Sequence, residues 1–270
     1  MNEYIEANRA HWDEVAPLHA ASDYYDVASF RAGKSPLHSI ELDEVGDVSG
    51  KSLLHLQCHF GMDTLAWARL GATVTGVDFS GTAIKTARGL ADDMGIAARF
   101  VEASIYDLPG VLSRSFDVVF ASYGVLCWIP DFPAWARVAA GFVKPGGMFY
   151  LLDGHPLFGA MDDAPGAYLR LKYDYLASGR PQPYPPGDGS YAARDAKLQH
   201  NRTFEFTHDL GEVVTSLIEA GLQIDFLHEF PLSGWQALPE MQKADDGFYH
   251  LPPGAPQIPF LYSVRAHKSA

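Results

Sequence analysis

The chain has 270 residues, 47% of them hydrophobic, which suits one large domain or one domain with a substantial addition, and such a chain buries a full core without disulfides or metals. Its two cysteines, Cys58 and Cys127, exclude a disulfide scaffold and fit a reducing compartment. With 33 acids against 20 bases, the net charge of −13 leaves no electrostatic footprint for nucleic acid or an anionic membrane, and no long apolar run or basic leader stands out, so a cytoplasmic protein is expected.

Residues 2–15 are predicted as an amphipathic helix, with Tyr4, Ile5, Asn8, Trp12 and Val15 near one stripe. An aromatic segment with Tyr24, Tyr25 and Phe30 follows, and residues 36–45 fit a second short helix. The texture then changes. Residues 52–56 form a short apolar run after a turn and read as a buried strand, and 64–70 read as a helix stopped by Gly71. Residues 72–78 are β-branched and give a second strand. Ser80 is a good N-cap for a helix that ends before Gly95. Strands three to five fall at 98–103, 116–121 and 148–153, with a helix over 132–143 and a turn at Lys144, Pro145, Gly146 and Gly147.

Strands alternating with helices predict an α/β fold, a mostly parallel sheet with helices on both faces. Residues 154–203 break that alternation with aromatics and prolines and read as an inserted cap. Regularity returns with a helix over 209–220 and strands over 222–230 and 259–266. The expected division is an N-terminal helical cap over 1–48, a core over 49–153, an inserted lid over 154–208 and completion of the core over 209–270.

Ligands of open α/β sheets bind outside the carboxyl ends of the strands, where the strand order reverses. This singles out the turn from His55 to Thr64 and the strand-end Asp78. A carboxylate there can accept hydrogen bonds from both vicinal hydroxyls of a ribose; the plainer alternative is an acid that caps the helix after Phe79 and Ser80. A dinucleotide fold needs G-x-G-x-x-G in the first turn so that the backbone can approach a pyrophosphate. Gln57 and His59 stand there ahead of Gly61, which argues against NAD and for a nucleoside cofactor without a pyrophosphate.

Residues 54–61, 77–80, 103–109, 116–120 and 143–147 resemble, in order, the successive motifs of the class I S-adenosylmethionine-dependent methyltransferases. The resemblance implies a Rossmann-like seven-stranded sheet of order 3-2-1-4-5-7-6, with strand seven antiparallel. It also implies S-adenosylmethionine as cofactor and S-adenosylhomocysteine as product. Carried over residue by residue, the cofactor site takes in Gln57, His59, Gly61, Asp63, Asp78, Phe79, Ser80, Ser104, Ile105, Ser122 and Tyr123. Asp78 is the ribose acid, Phe79 lies against the adenine, and Ser122 and Tyr123 stand near the methionine moiety.

The sequence departs from the family at the start of the first motif. Most members have an acid and Gly-x-Gly where this chain has His55, Gln57 and His59. Arg31 reads either as a new partner for the methionine carboxylate, which a guanidinium pairs bidentately, or as a surface arginine. His11, His155 and His208 are candidate bases, since a neutral imidazole can take a proton from a substrate; each alone also reads as a satisfied loop or cap histidine. Trp12, Tyr24, Trp128, Tyr168 and Trp235 are candidate walls of an acceptor cavity, or else pack locally. No metal is expected. The function this implies is methyl transfer to a small-molecule acceptor by a monomer or homodimer, the alternative being a non-catalytic S-adenosylmethionine-binding sensor.

Overall fold

A computed structural model describes residues 2–162, 169–176, 179–182 and 189–270. The chain opens with three helices, α1 (Asn2–Ala20), α2 (Val27–Arg31) and α3 (Ser39–Val45). Helix α1 continues past the predicted end at Val15 and through Pro17, which gives up one intrahelical hydrogen bond. Its buried Val15 and Ala16 secure that stretch. Helix α2, in the aromatic segment, has no periodic signal of its own. It is fixed by Asp26, whose carboxylate accepts the Ser29 N–H at 3.1 Å.

The core follows as β1 (Ser52–Leu56), α4 (Met62–Arg69), β2 (Thr73–Asp78), α5 (Gly81–Met94), β3 (Arg99–Glu102), α6 (Leu108–Val111), β4 (Phe116–Ser122), α7 (Phe132–Phe142), β5 (Val143–Gly154) and α8 (Pro156–Gly159). After the insertion come α9 (Leu210–Glu219), β6 (Leu222–Phe230), the short β7 (Leu232–Ser233), β8 (Gln242–Lys243) and β9 (Tyr249–His250), and β10 (Leu261–Lys268). The main sheet runs β3-β2-β1-β4-β5-β10-β6, and β10 is antiparallel to both its neighbours. This is the order the motifs imply, with β10 as the seventh strand. The order reverses between β1 and β4.

Side chains alternate across the sheet and build two cores. On one face Leu54, Leu56, Val119, Phe149 and Leu151 meet Trp135 of α7 and Val213 and Leu217 of α9. On the other, Leu53, Val74, Val118, Phe120 and Leu152 meet Leu65 and Trp67 of α4, Ile84 and Ala87 of α5 and Val45 of α3. Each such side chain stabilises the fold by roughly 1.5–3 kcal/mol through burial. The predicted turn at 144–147 is absorbed into β5 as a register shift against β4. Gly147 permits it, since a Cβ there would stand 2.9 Å from the Lys144 carbonyl oxygen. A third small core, with Met161, Leu238, Met241 and Phe260, lies under the sheet β7-β9-β8, which the sequence pattern left as loop.

Candidate functional site

The carboxyl ends of β1 and β4 carry an unusual backbone. Gln57 (φ 53°), His59 (φ 51°) and Tyr123 (φ 53°) are all left-handed, as is Gly61 (φ 82°). Only glycine adopts this region without cost; another residue gives up on the order of 1 kcal/mol. The first-motif loop is therefore left-handed at 57 and 59, where the resembled family carries glycines. Side-chain bonds offset the cost. Gln57 donates through Nε2 to the Val125 carbonyl at 2.8 Å, and its Oε1 accepts the Trp135 indole N–H at 2.9 Å. That ties the end of β1 to the turn after β4. Gly61 must be glycine for a second reason: a Cβ would come within 2.7 Å of the Phe100 ring.

Asp78 closes this loop from β2. Its Oδ2 accepts the His59 N–H at 2.8 Å and its Oδ1 the Ser80 N–H at 2.9 Å. Burial pushes the carboxyl up to about 6, against the opposing pull of those amides. The Phe79 backbone N–H also acts on it, and of the roughly four lone-pair sites on a carboxylate one is left for a further donor. Phe79 is half-buried beside it. Ile105, buried, and Ser104, half-buried, follow the end of β3, whose Glu102 pairs with Asp78. Ser122 ends β4 and is buried. Ser80 is spent differently from the expectation. Its hydroxyl accepts the Ala83 N–H as the cap of α5 and donates to Asp13 of α1 at 2.7 Å. It locks the cap helix to the core and is not free for a ligand.

Three further expectations are corrected by side-chain direction. Arg31 lies on the surface and pairs with Asp93 at 2.7 Å, an α5 residue, so it is a surface arginine and not a methionine-end residue. His155 follows β5 as predicted, but its Nδ1 accepts the Leu157 N–H at 3.0 Å and its Nε2 meets Glu229 at 2.9 Å, on the β6 side of the sheet. His208 is buried between Glu212 at 2.7 Å and the Ile129 carbonyl at 2.7 Å, joining α9 to the segment before α7. Both nitrogens of both rings are engaged, so neither is placed as a base.

The remaining expected residues divide. Trp12 sits at the centre of an aromatic group, its ring 5.1 Å from His59, 5.3 Å from Trp128 and 5.7 Å from His19. His11 lies parallel to Trp128 at 6.4 Å and hydrogen-bonds to the His200 carbonyl; burial lowers its pKa. Tyr24 is half exposed and packs edge-on against Tyr25 and Tyr191. Trp235 packs instead on Phe158 and the Gly154 backbone, the local reading. Tyr168 lies outside the described residues.

Several site residues had not been singled out. His19 of α1 is buried, with Nδ1 3.0 Å from His59 Nε2 and Nε2 2.6 Å from the Ser190 hydroxyl. It thus links the cap, the first-motif loop and the insertion. Burial pushes His19 down to about 4 and His59 well below the usual histidine range, so both are neutral near pH 7. The Tyr25 and Tyr191 hydroxyls bond directly, a second tie between cap and insertion. Glu41 of α3 is 1% exposed; it accepts the His38 N–H at 2.7 Å and the Tyr123 phenol at 2.9 Å, and burial pushes it up to about 8. Local signals existed only for Glu41, three residues past His38 at capping-box spacing. Asp153, at the end of β5, accepts the Gly124, Val125 and Leu126 amides and shapes the turn after β4. Among the described residues no group of three or more histidine, cysteine or acidic side chains could hold a metal.

A family model described as a methyltransferase domain matches residues 54–151. That stretch matches a methyltransferase domain, and the sheet order is the one implied by the resemblance to the class I S-adenosylmethionine-dependent methyltransferases. Among curated relatives it is 31% identical to a ubiquinone biosynthesis O-methyltransferase of Methylobacterium nodulans over 147 residues, 52% of this chain and 56% of that one. It is 29% identical to one of Escherichia coli over 151 residues, 50% of this chain and 62% of that one. The chain thus matches little more than half the length of these relatives. Among solved structures, an S-adenosylmethionine-dependent methyltransferase of Mesorhizobium loti superposes with a TM-score of 0.55 at 18% identity, covering 88% of this chain and all of that one. A complex of DhpI with S-adenosylhomocysteine gives 0.55 at 18% identity, covering 100% and 98%. These likenesses show the fold.

Proposed function

We propose that the chain transfers a methyl group from S-adenosylmethionine to a small-molecule acceptor. The observation that carries this is Asp78 at the end of β2, clasping a first-motif loop held in the glycine conformation at the β1/β4 reversal. These residues fit the cofactor: Asp78 takes the ribose hydroxyls, Phe79 and Ile105 flank the adenine, and Ser122 and Tyr123 border the methionine end. The cofactor supplies the reactive methyl group. The protein aligns acceptor, methyl and sulfur and keeps water out. His11 is the one expected histidine left beside the mouth as a proton acceptor. The names of the curated relatives favour an oxygen acceptor.

The cap over 1–48 and the insertion over 154–208 act as the lid in this reading, with Trp12, Tyr24 and Trp128 on its inner side. A monomer or homodimer in the cytoplasm goes with it; the charge of −13 supports the exclusion of nucleic acid and anionic membranes. No described helix is long and apolar enough to cross a membrane.

Thermal melting tests the cofactor. S-adenosylmethionine or S-adenosylhomocysteine at a hundredfold excess over Kd should stabilise the chain by about 2.7 kcal/mol, and NAD should not. A shift with NAD alone would refute the proposal. Binding of S-adenosylmethionine with no S-adenosylhomocysteine formed across a metabolite panel would favour the sensor.

Hydrogen exchange tests the lid. S-adenosylhomocysteine should protect residues 2–35 and 189–207 as well as the 57–61 loop, because His19 joins all three. Protection confined to the sheet motifs would leave the cap and insertion as fixed decoration.

A further inference from the structure

We infer that Asp63 is the counter-charge for an alkylammonium group bound at the mouth of the sheet. The inference rests on the methyltransferase reading and deepens it. Asp63 lies in the first turn of α4, immediately after the 57–61 loop, and is half-buried. No hydrogen bond to it exists among the described residues, and burial pushes its carboxyl up to about 6 with no partner drawing it back. An acid in a helix's first turn ordinarily gains from the helix dipole; here desolvation wins.

The groups that feel its charge are Tyr24 and Tyr25 of the cap, Glu41 of α3, Cys58 of the loop, Tyr123 after β4 and Tyr191 of the insertion. None is a cation. Burial raises every one of these pKa values, so near pH 7 they are neutral and Asp63 carries the standing negative charge. The arginine of the same helix, Arg69, is committed to the carbonyl and ring of Phe30, and Arg31 of the cap to Asp93. The position at which the family carries its strand-end acid is filled by His55, buried, bonded to Thr64 at 2.8 Å and pushed down to about 3. In this reading the first turn of α4 supplies the carboxylate that the end of β1 lacks.

A half-buried carboxylate with no hydrogen-bond partner among the described residues is costly to keep, and a bound cation offsets the cost. Tyr24, Tyr25, Tyr123 and Tyr191 interact with it electrostatically, and aromatic side chains suit an ammonium in particular. Two sources share that chemistry: the α-ammonium of the cofactor's amino-acid end, and an amine on the acceptor.

Calorimetry on the full chain and on Asp63→Asn separates them. The probes are S-adenosylhomocysteine and 5′-methylthioadenosine, which keeps the nucleoside and lacks the amino-acid end. If the cofactor is the source, Asp63→Asn weakens S-adenosylhomocysteine about 30- to 100-fold, as expected for loss of a charge-assisted contact, and leaves 5′-methylthioadenosine unchanged. If the acceptor is the source, both nucleosides bind as in wild type. The wild-type chain loaded with S-adenosylhomocysteine then binds benzylamine in preference to benzyl alcohol, and the variant loses that preference. Unchanged nucleoside binding together with no benzylamine preference overturns the inference. Should neither nucleoside bind the wild-type chain, the methyltransferase reading falls, and the benzylamine arm on the unloaded protein still decides Asp63. Asparagine is isosteric and removes a desolvated charge, so the variant should melt no lower than wild type.

Discussion

Replacing Asp78 by alanine should weaken S-adenosylhomocysteine binding about 30- to 100-fold, the size expected when a charge-assisted contact of about 2–3 kcal/mol to a pair of hydroxyls is lost. The same change should lower the melting temperature. Asp78 is the acceptor for the His59 and Ser80 amides, and its removal leaves both donors without a partner in a largely buried loop. Each such group costs roughly 1–3 kcal/mol. Part of that is returned, because burial holds the Asp78 carboxyl at about 6 and its charge is itself poorly solvated. A net loss of about 1–2 kcal/mol, or roughly 2–8 °C for a domain of this size, is the expected balance. Ser80→Ala separates the two effects. It removes the hydroxyl that caps α5 and meets Asp13, so it should cost about 0.5–2 kcal/mol of stability and leave S-adenosylhomocysteine affinity near wild type. If Asp78→Ala behaves as Ser80→Ala does, Asp78 is a loop clasp and nothing more.

The sheet was legible because its signals are local. Ser80 and Gly95 bracket α5 as predicted, and Asp209 caps α9, its side chain accepting the Glu212 N–H. The alternation of strand and helix placed the first five strands along the chain, and the resemblance of the motifs implied their order in the sheet. The site was less legible, for two physical reasons. First, Gln57 and His59 argue by residue type against a left-handed backbone, so the loop looked remodelled; the left-handed backbone stands because long-range bonds to Val125, Trp135 and Asp78 hold it. Second, a strand-end position does not say where a side chain turns. His155 and His208 stand near the right ends of the right elements, but Glu229, Glu212 and a carbonyl claim their rings. Arg31 went to Asp93 in the same way. His19 and Glu41 gain their roles from partners far along the chain, in the first-motif loop, the insertion and the end of β4, which periodicity does not reveal.

Glu41→Gln should make the unliganded protein more stable at alkaline pH and have little effect in acid. Glu41 is almost fully buried, and its carboxyl stands at about 8 when folded against an ordinary value of 4.5. The folded state therefore holds a proton that the unfolded state releases between these two values. Linkage then makes the wild-type chain lose stability as pH rises from about 4.5 to about 8, with the full penalty above that window. With roughly 1.4 kcal/mol for each tenfold change in acidity, the penalty is on the order of 5 kcal/mol. Glutamine is uncharged like the protonated acid: its carbonyl oxygen can accept the His38 N–H, and once the Tyr123 O–H turns away its amide can donate to the phenol oxygen. Asp63, His38 and Tyr123 remain around it in both proteins, so the difference between them isolates Glu41. Denaturant unfolding from pH 5 to 9 should show the two chains converging at the acid end and the variant pulling ahead above pH 7. Parallel curves, or a variant weaker at pH 9, would mean that Glu41 is ionised in the folded protein and is held by the His38 amide and the Tyr123 hydroxyl as a buried anion.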